Sequence, residues 1–279
     1  MSDINPVAAH YNHGALLRAI LEGVERLGKS PDTVNVEDLG PVDEFHIGGR
    51  VATKDFLDQL DITTEDLVLD VGCGLGGASR FAVQQYGCRV TGIDLTHEYV
   101  ETGTALCSWV GLDTRVTLEQ GDATATPYTD DAFDKSYMLH VGMNITNKKA
   151  LASELHRILR PGGRLGIYDV MRVGNGDLSF PVPWATTAGE SDVASPDEYR
   201  QALESVGFRV VAERNRAAFA LKVFGKLQAR AEGAGGPPPL GLHIVMGATA
   251  AAKVKNMIDS VSEGCVAPVE FIAEKPAQE

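Results

Sequence analysis

Cysteine is scarce in this 279-residue chain: there are four, Cys73, Cys88, Cys107 and Cys265, widely spread and without a Cys-x-x-Cys pair. That excludes a disulfide framework and gives no zinc-ligand spacing, so reduced, buried thiols are expected. No apolar run approaches the roughly 20 residues that a membrane-spanning helix needs. The longest, such as Val245 to Val254, is broken by Gly, Thr and Lys. No basic patch leads from the opening Met-Ser-Asp into an apolar core, so no secretory signal is expected, and the expected compartment is the cytoplasm. Basic residues are outnumbered: 25 Lys and Arg stand against 38 Asp and Glu, a formal net charge of −13. Such a surface repels phosphate backbones, which argues against nucleic acid as a partner. No repeat, low-complexity tract or carboxylate/histidine cluster suggests an array or a metal site, and no metal is expected. At 44% apolar and 23% charged residues, the chain has the balance of an ordinary globular protein.

What is present is alternation. From Leu67 to Asp169, short apolar runs alternate with amphipathic segments, the pattern of βαβ units on a parallel sheet. Strands are expected at Leu67–Val71, Arg89–Ile93, Arg115–Glu119, Ala132–Leu139 and Arg164–Asp169. Helices are expected at Ala78–Tyr86, His97–Val110 and Lys148–Leu159, with Gly111 a plausible C-cap and Arg160-Pro161-Gly162-Gly163 a turn. Beyond the core, Ser195-Pro196-Asp197-Glu198 opens a helix, with Ser at the N-cap and Pro at the first position. A sixth strand at Phe208–Glu213 follows, then helices at Ala217–Glu232 and Ala248–Ser262 around a flexible break at Gly233–Pro239. Val266–Ala273 reads as a last strand, and Gly14–Leu27 as an early helix.

The segment that carries chemistry is Asp70-Val71-Gly72-Cys73-Gly74-Leu75-Gly76-Gly77, between the first strand and its helix. Its glycines let the backbone turn sharply and let a ligand approach. The spacing Gly72-x-Gly74-x-x-Gly77 also matches the dinucleotide fingerprint, so a nicotinamide-dependent oxidoreductase is the reading from another class. Two details weigh against it. Asp70, two positions before the first glycine, would repel a pyrophosphate and attract an ammonium. Asp94 ends the next strand, where a carboxylate can accept from both ribose hydroxyls, and Asp122 follows the third strand, placed to accept from an adenine amino group. Three aspartates closing successive strands describe a site for a positively charged purine nucleoside. S-adenosylmethionine (SAM) is the cofactor that fits it best.

The run resembles the class I SAM-dependent methyltransferases over roughly residues 45 to 170, with Arg160-Pro161-Gly162-Gly163 a further shared feature. Phe45-His46-Ile47-Gly48-Gly49, His140-Val141-Gly142-Met143-Asn144-Ile145, Pro181-Val182-Pro183-Trp184-Ala185 and Leu240-Gly241-Leu242-His243 are similar to the sarcosine/dimethylglycine N-methyltransferase-like branch, whose relatives act on quinones, sterols and secondary metabolites. The resemblance implies an α/β, Rossmann-like seven-stranded sheet, mostly parallel, with helices on both faces, an antiparallel last strand and a helical lid. The expected division is 1–65 as N-terminal helical cap and loop, 66–214 as SAM-binding core, 215–263 as lid insertion and 264–279 as last strand and tail.

Asp70, Gly72, Cys73, Gly74, Gly76, Asp94, Leu95, Asp122, Ala123 and Leu139 are the expected cofactor contacts. Tyr11 joins them near the donor's carboxylate, as N-terminal tyrosines do in similar enzymes, with a core tyrosine as the alternative. His140, just past strand four, is the candidate base or orienting group, against a packed histidine, and Asn144 its polar companion, against a helix cap. His46, Trp184 and His243 are the candidate substrate contacts, Trp184 because an aromatic face can hold a cationic amine, against ordinary burial. His97 and His156 read as helix-surface residues, His10 and His13 as flexible-end residues. The expected reaction is methyl transfer to the amine of a sarcosine- or dimethylglycine-like small molecule, with O- or C-methylation of an aromatic or quinone, and a transfer-inactive scaffold or cyclase, as alternatives. No membrane is expected as a partner, and a homodimer is the candidate assembly.

Overall fold

The first strand, β1 (Leu67–Val71), is apolar on both sides of its pleat apart from Asp70, and four of its five residues are buried. A run of that kind suits the middle of a sheet covered on both faces. In the computed structural model, which describes residues 10–11, 14–233 and 236–277, it lies in the middle of seven strands ordered β3-β2-β1-β4-β5-β7-β6. The others are β2 (Arg89–Asp94), β3 (Val116–Gln120), β4 (Phe133–Leu139), β5 (Leu159–Arg172), β6 (Arg209–Asn215) and β7 (Val266–Glu274). β1 pairs in parallel with both β2 and β4, whereas β7 runs antiparallel to β5 and β6. The sheet therefore has the mostly parallel Rossmann-like order expected, with its last strand reversed.

Strand order reverses between β1 and β4, because the chain first builds outward through β2 and β3 and then returns to the other side of β1. Loops leaving β1 and β4 diverge there, opening a crevice at the carboxyl ends of the strands, where ligands bind in open α/β sheets. Helices α4 (Gly77–Tyr86), α5 (His97–Trp109), α6 (Lys148–Ile158) and α7 (Pro196–Ser205) make the crossovers. α7 starts as expected: Ser195 accepts from the Glu198 N–H, and the Glu198 carboxylate accepts from the Ser195 N–H. Such a reciprocal cap satisfies two donors that the helix cannot.

The segments on either side of the sheet-forming core hold more structure than the sequence suggests. α1 (Leu16–Arg26), α2 (Val36–Asp43) and α3 (Gly49–Leu57) precede the sheet. α2 is short and contains Pro41, so it has little helical periodicity, but Asn35 and Asp38 form a capping box that fixes its start. After β6 come α8 (Ala217–Gly233), the short α9 (His243–Met246) and α10 (Ala250–Ser262). Leu16, Ile20, Val24, Leu39 and Val42 pack with Leu240 and Val245 against Leu75 and Tyr99, so the two distant segments share one apolar cluster over the glycine loop. His13 and residues 234 and 235 of the expected break lie outside the described residues.

One expected turn is part of a strand. Arg160 to Gly163 bulge out within β5: Phe133 pairs with Leu159 and Lys135 with Arg164, leaving the four residues between. Gly162, at φ 81°, donates its N–H to the Lys275 carbonyl, and the Lys275 N–H donates to Gly163. Pairing with the end of β7 turns the Pro-Gly-Gly segment into sheet rather than loop. Among the described residues, no helix is long and apolar enough to cross a membrane, and no group of three metal-ligating side chains occurs.

Candidate functional site

The loop after β1 depends on backbone conformations that favour glycine. Gly72, Gly74 and Gly76 sit at φ 67°, 54° and 75°. Asp94 pins the loop from the next strand: one carboxylate oxygen accepts from the Gly74 N–H at 2.9 Å and the other from the Thr96 N–H at 2.8 Å. At Gly72 a methyl group would overlap both Val141 methyls as well as strain the backbone. Gly72→Ala is therefore expected to destabilise the protein by about 2 kcal/mol or more, read as a lower urea midpoint. An unchanged midpoint would show that this contact is not tight.

The three aspartates sit in different environments. Asp70 is buried, and its Oδ2 accepts from the Ser79 hydroxyl at 2.6 Å and the Tyr137 hydroxyl at 3.0 Å. Burial pushes its carboxyl up to about 7 against the pull of those two hydroxyls, because an ion loses more hydration than they return. Burial also raises Asp94, opposed by the Thr96 and Gly74 N–H groups. Asp122 is exposed and turns back on its own loop, accepting from the Thr124 N–H and hydroxyl.

Across the crevice, His140 follows β4 in a left-handed conformation, φ 56°, which is unusual for a residue with a side chain. Both its nitrogens meet the backbone: Nδ1–H donates to the Tyr168 carbonyl at 3.1 Å, and Nε2 accepts the Ile47 N–H at 3.4 Å. Burial first, and the neighbouring His46 second, lower its pKa to about 3, so the ring is neutral near pH 7. It ties the β4 loop to the 45–49 segment. His46, lowered to about 4 mainly by burial, turns Nε2 toward Thr53 Oγ1 at 2.9 Å and the Gly49 carbonyl at 3.3 Å. Asn144 is held at both ends, accepting from the Tyr11 hydroxyl at 3.2 Å and donating to the Trp184 carbonyl at 2.9 Å.

These residues meet around one cavity of about 360 Å³. Tyr11, Asp70, Gly72, Cys73, Gly74, Asp94, Leu95, Asp122, Ala123 and Leu139 border it, as do His46, His140 and Asn144. Three of the expected contacts do not. Gly76 faces Leu118 and Arg80 on the helix side of its loop. Trp184 is 2% exposed within an apolar cluster, its indole N–H donating to Ser191 Oγ at 2.9 Å, so burial accounts for it. His243 starts α9 beside Gly241, two residues before the cavity residue Val245. The cavity wall also includes Phe45, the first residue of the 45–49 motif, and Val42, Asp43 and Tyr99, which are not among the expected contacts. Of these three, only Tyr99 carries a hint, since it lies on the inner side of α5 five residues after Asp94.

The wall fits a cationic nucleoside. Carboxylates stand at the ends of β1 and β2, and apolar side chains of Leu75, Ile93 and Leu95 stand between them. Tyr99 Oη adds a buried hydroxyl with no hydrogen-bond partner among the described residues, at the same wall as Asp94. A buried donor without a partner is uncommon, and a polar ligand would satisfy it. In such a pocket the carboxylates of Asp94 and Asp70 would hold the ribose and the ammonium of SAM.

Comparison with known proteins agrees. Residues 68–163 match the family model described as a methyltransferase domain. The methyltransferase GfsG of Streptomyces halstedii is 30% identical over 162 residues, covering 58% of this chain and 56% of that protein. A phosphoethanolamine N-methyltransferase of Triticum aestivum is 33% identical over 185 residues, covering 66% and 36%. The chain thus spans about half or less of the length of these curated relatives. Among solved structures, a geranyl diphosphate C-methyltransferase from Streptomyces coelicolor A3(2), in complex with S-adenosyl-L-homocysteine, superposes with a TM-score of 0.69 at 19% identity, covering 99% of this chain and all of that one. The matched segment is the one that carries the glycine loop, Asp70, Asp94 and Asp122, and residues 68–163 have the sequence of a methyltransferase domain.

Proposed function

We propose that this chain transfers the methyl group of SAM to a small molecule held in the same cavity. The observation that carries this reading is the convergence of Asp70, Asp94, the glycine loop, His46, His140 and Asn144 on one pocket at the point where strand order reverses. In it, Asp94 accepts from the ribose hydroxyls, Asp70 faces the donor's ammonium, and Asp122 accepts from the adenine amino group. Tyr11 closes the donor's amino-acid end, and Asn144, gripped by Tyr11 and the Trp184 carbonyl, sets the boundary with the acceptor. Bound SAM supplies an electrophilic carbon on a positive sulfur, so the chemistry asks the protein mainly for alignment and exclusion of water.

Within this activity the sequence resemblance favours a sarcosine- or dimethylglycine-like amine. The aromatic faces available to such an amine are Tyr11, Phe45 and Tyr99, with Trp184 away from the wall. An alcohol or phenol acceptor is the second reading, favoured by the pair of neutral imidazoles 6.0 Å apart at the cavity. The test is equilibrium dialysis with radioactive SAM, followed by a labelled-methyl assay over small molecules, with NADH as control ligand. Uptake of SAM and labelled product support the proposal. Uptake without product would leave a SAM-binding scaffold, and uptake of NADH alone would favour the oxidoreductase.

A further inference from the structure

The cavity wall is one-sided in charge. Asp43, Asp70, Asp94 and Asp122 border it, and among the described residues no lysine or arginine does. The remaining residues (1–9, 12, 13, 234, 235, 278 and 279) include neither of those types. Cations that lie close by are engaged elsewhere. Arg80 pairs with Asp43, both fully buried, Arg50 pairs with Glu44, and Lys148 donates to the Asp192 carbonyl at 2.8 Å. An anionic acceptor would enter a pocket whose protein wall offers it carboxylates and no cation.

Among the described residues, the one arrangement at the wall with the form of an oriented base is built on His46. Thr53 donates its hydroxyl hydrogen to Glu44 Oε2, so the Thr53 oxygen is left to accept from His46 Nε2–H at 2.9 Å. The Gly49 carbonyl accepts from the same N–H. Both bonds fix the proton on Nε2 and leave the lone pair on Nδ1 of a ring that borders the cavity. Glu44 Oε2 lies 3.4 Å behind Nε2, where it would stabilise the ring once protonated. A base oriented by a third group is the form nucleophile activation takes in many enzymes. His140, whose two nitrogens are both tied to backbone, lacks that freedom.

We propose that the methyl acceptor carries no negative charge, and that its nucleophilic O–H or N–H passes a proton to His46, positioned by Thr53 and Glu44. This rests on the transfer reading above and narrows its substrate class to acceptors without a carboxylate, an alcohol, phenol or simple amine, setting aside the sarcosine- or dimethylglycine-like amine. As the heteroatom–carbon bond forms, the carbon–sulfur bond breaks with its electron pair left on sulfur; the acceptor's proton moves to His46 Nδ1 and later leaves to water. Burial lowers His46 to about 4 and leaves it unprotonated at pH 7, so the proton it takes must be stabilised by the Glu44 carboxylate behind Nε2. Glu44 and Thr53 do not border the cavity and act only through the ring.

A mixture of candidate acceptors can stand in for a single chosen one. Protein and methyl-labelled SAM are incubated with deproteinised metabolite extracts, and labelled product is run on an anion exchanger at pH 8. The label is expected in the unretained fraction, in a product that mass spectrometry shows to lack a carboxylate, and either retention as an anion or a zwitterionic carboxylate product would overturn the charge assignment. With that product's precursor, Thr53→Val is expected to lower kcat about tenfold at unchanged KM and unchanged SAM dissociation constant, and Thr53→Ser to restore kcat within about twofold. An unchanged kcat in Thr53→Val, or no recovery in Thr53→Ser, would overturn the His46 assignment. No labelled product from any extract would overturn the proposal together with the transfer reading, and dialysis tells which part of that reading fails.

Discussion

Asp94→Ala is expected to raise the dissociation constant for SAM at least about a hundredfold, measured by calorimetry on folded protein. A hydrogen bond to a charged group contributes roughly 1.5–3 kcal/mol, and a carboxylate gripping two ribose hydroxyls supplies two of them. Each tenfold in affinity is about 1.4 kcal/mol, so the direct loss alone spans two to four decades. A second effect acts in the same direction, because Asp94 also accepts the Gly74 and Thr96 N–H groups. Without it the glycine loop loses its tie to β2 and must be ordered by the ligand itself. Asp94→Asn separates the two contributions: an amide oxygen can keep one backbone bond, yet it cannot accept with both arms. It should fall between wild type and alanine. A dissociation constant within threefold of wild type in the alanine variant would remove Asp94 from the cofactor site.

The residues legible in the sequence are those whose meaning is local. Asp70, Gly72 and Asp94 are placed by where a strand stops and by how the following backbone must turn, and both are written within a few neighbouring residues. The same holds for Ser195 and Glu198, whose reciprocal cap needs only a three-residue spacing. Val42, Tyr99 and Val245 are different. They border the cavity because α2, the 45–49 segment, α5 and α9 meet there, and no local pattern records that meeting. Trp184 shows the opposite failure. Its aromatic face suggests an acceptor wall, but the indole N–H finds Ser191 and the ring packs with Val182, Phe224 and Met257. Nothing in the sequence separates a satisfied core tryptophan from one that meets a ligand. The bulge at Arg160–Gly163 reads as a turn for a similar reason, since its partner, Lys275, is more than a hundred residues away.

Asp70→Asn is expected to stabilise the ligand-free protein and to cripple its use of SAM, with both effects depending on pH. The Asp70 carboxyl is raised to about 7 in the fold from an ordinary value of 3.8, so ionisation is harder in the folded than in the unfolded chain. A group raised in this way costs nothing below the unfolded value. It subtracts stability progressively as pH rises from about 4 to about 7. Three pH units at 1.36 kcal/mol each set an upper bound near 4 kcal/mol, and about 1–3 kcal/mol is expected after relaxation. Asparagine can still accept from Ser79 and Tyr137 and carries no charge to bury, so its advantage should be absent near pH 4 and full above pH 7 in denaturant titrations. Asp169, raised to about 6 chiefly by burial, adds to the pH dependence of both proteins and cancels in the difference. For SAM the sign inverts. The donor's ammonium favours the ionised carboxylate, so wild-type affinity should climb through pH 7 with release of a proton, while the variant binds at least tenfold more weakly with a flat profile. The buried acid is thus retained at a cost to the fold because the ligand's charge recovers it on binding. A stability gap that does not change between pH 4 and 8, or a variant whose affinity matches wild type at pH 8, would show that Asp70 does not face the cofactor.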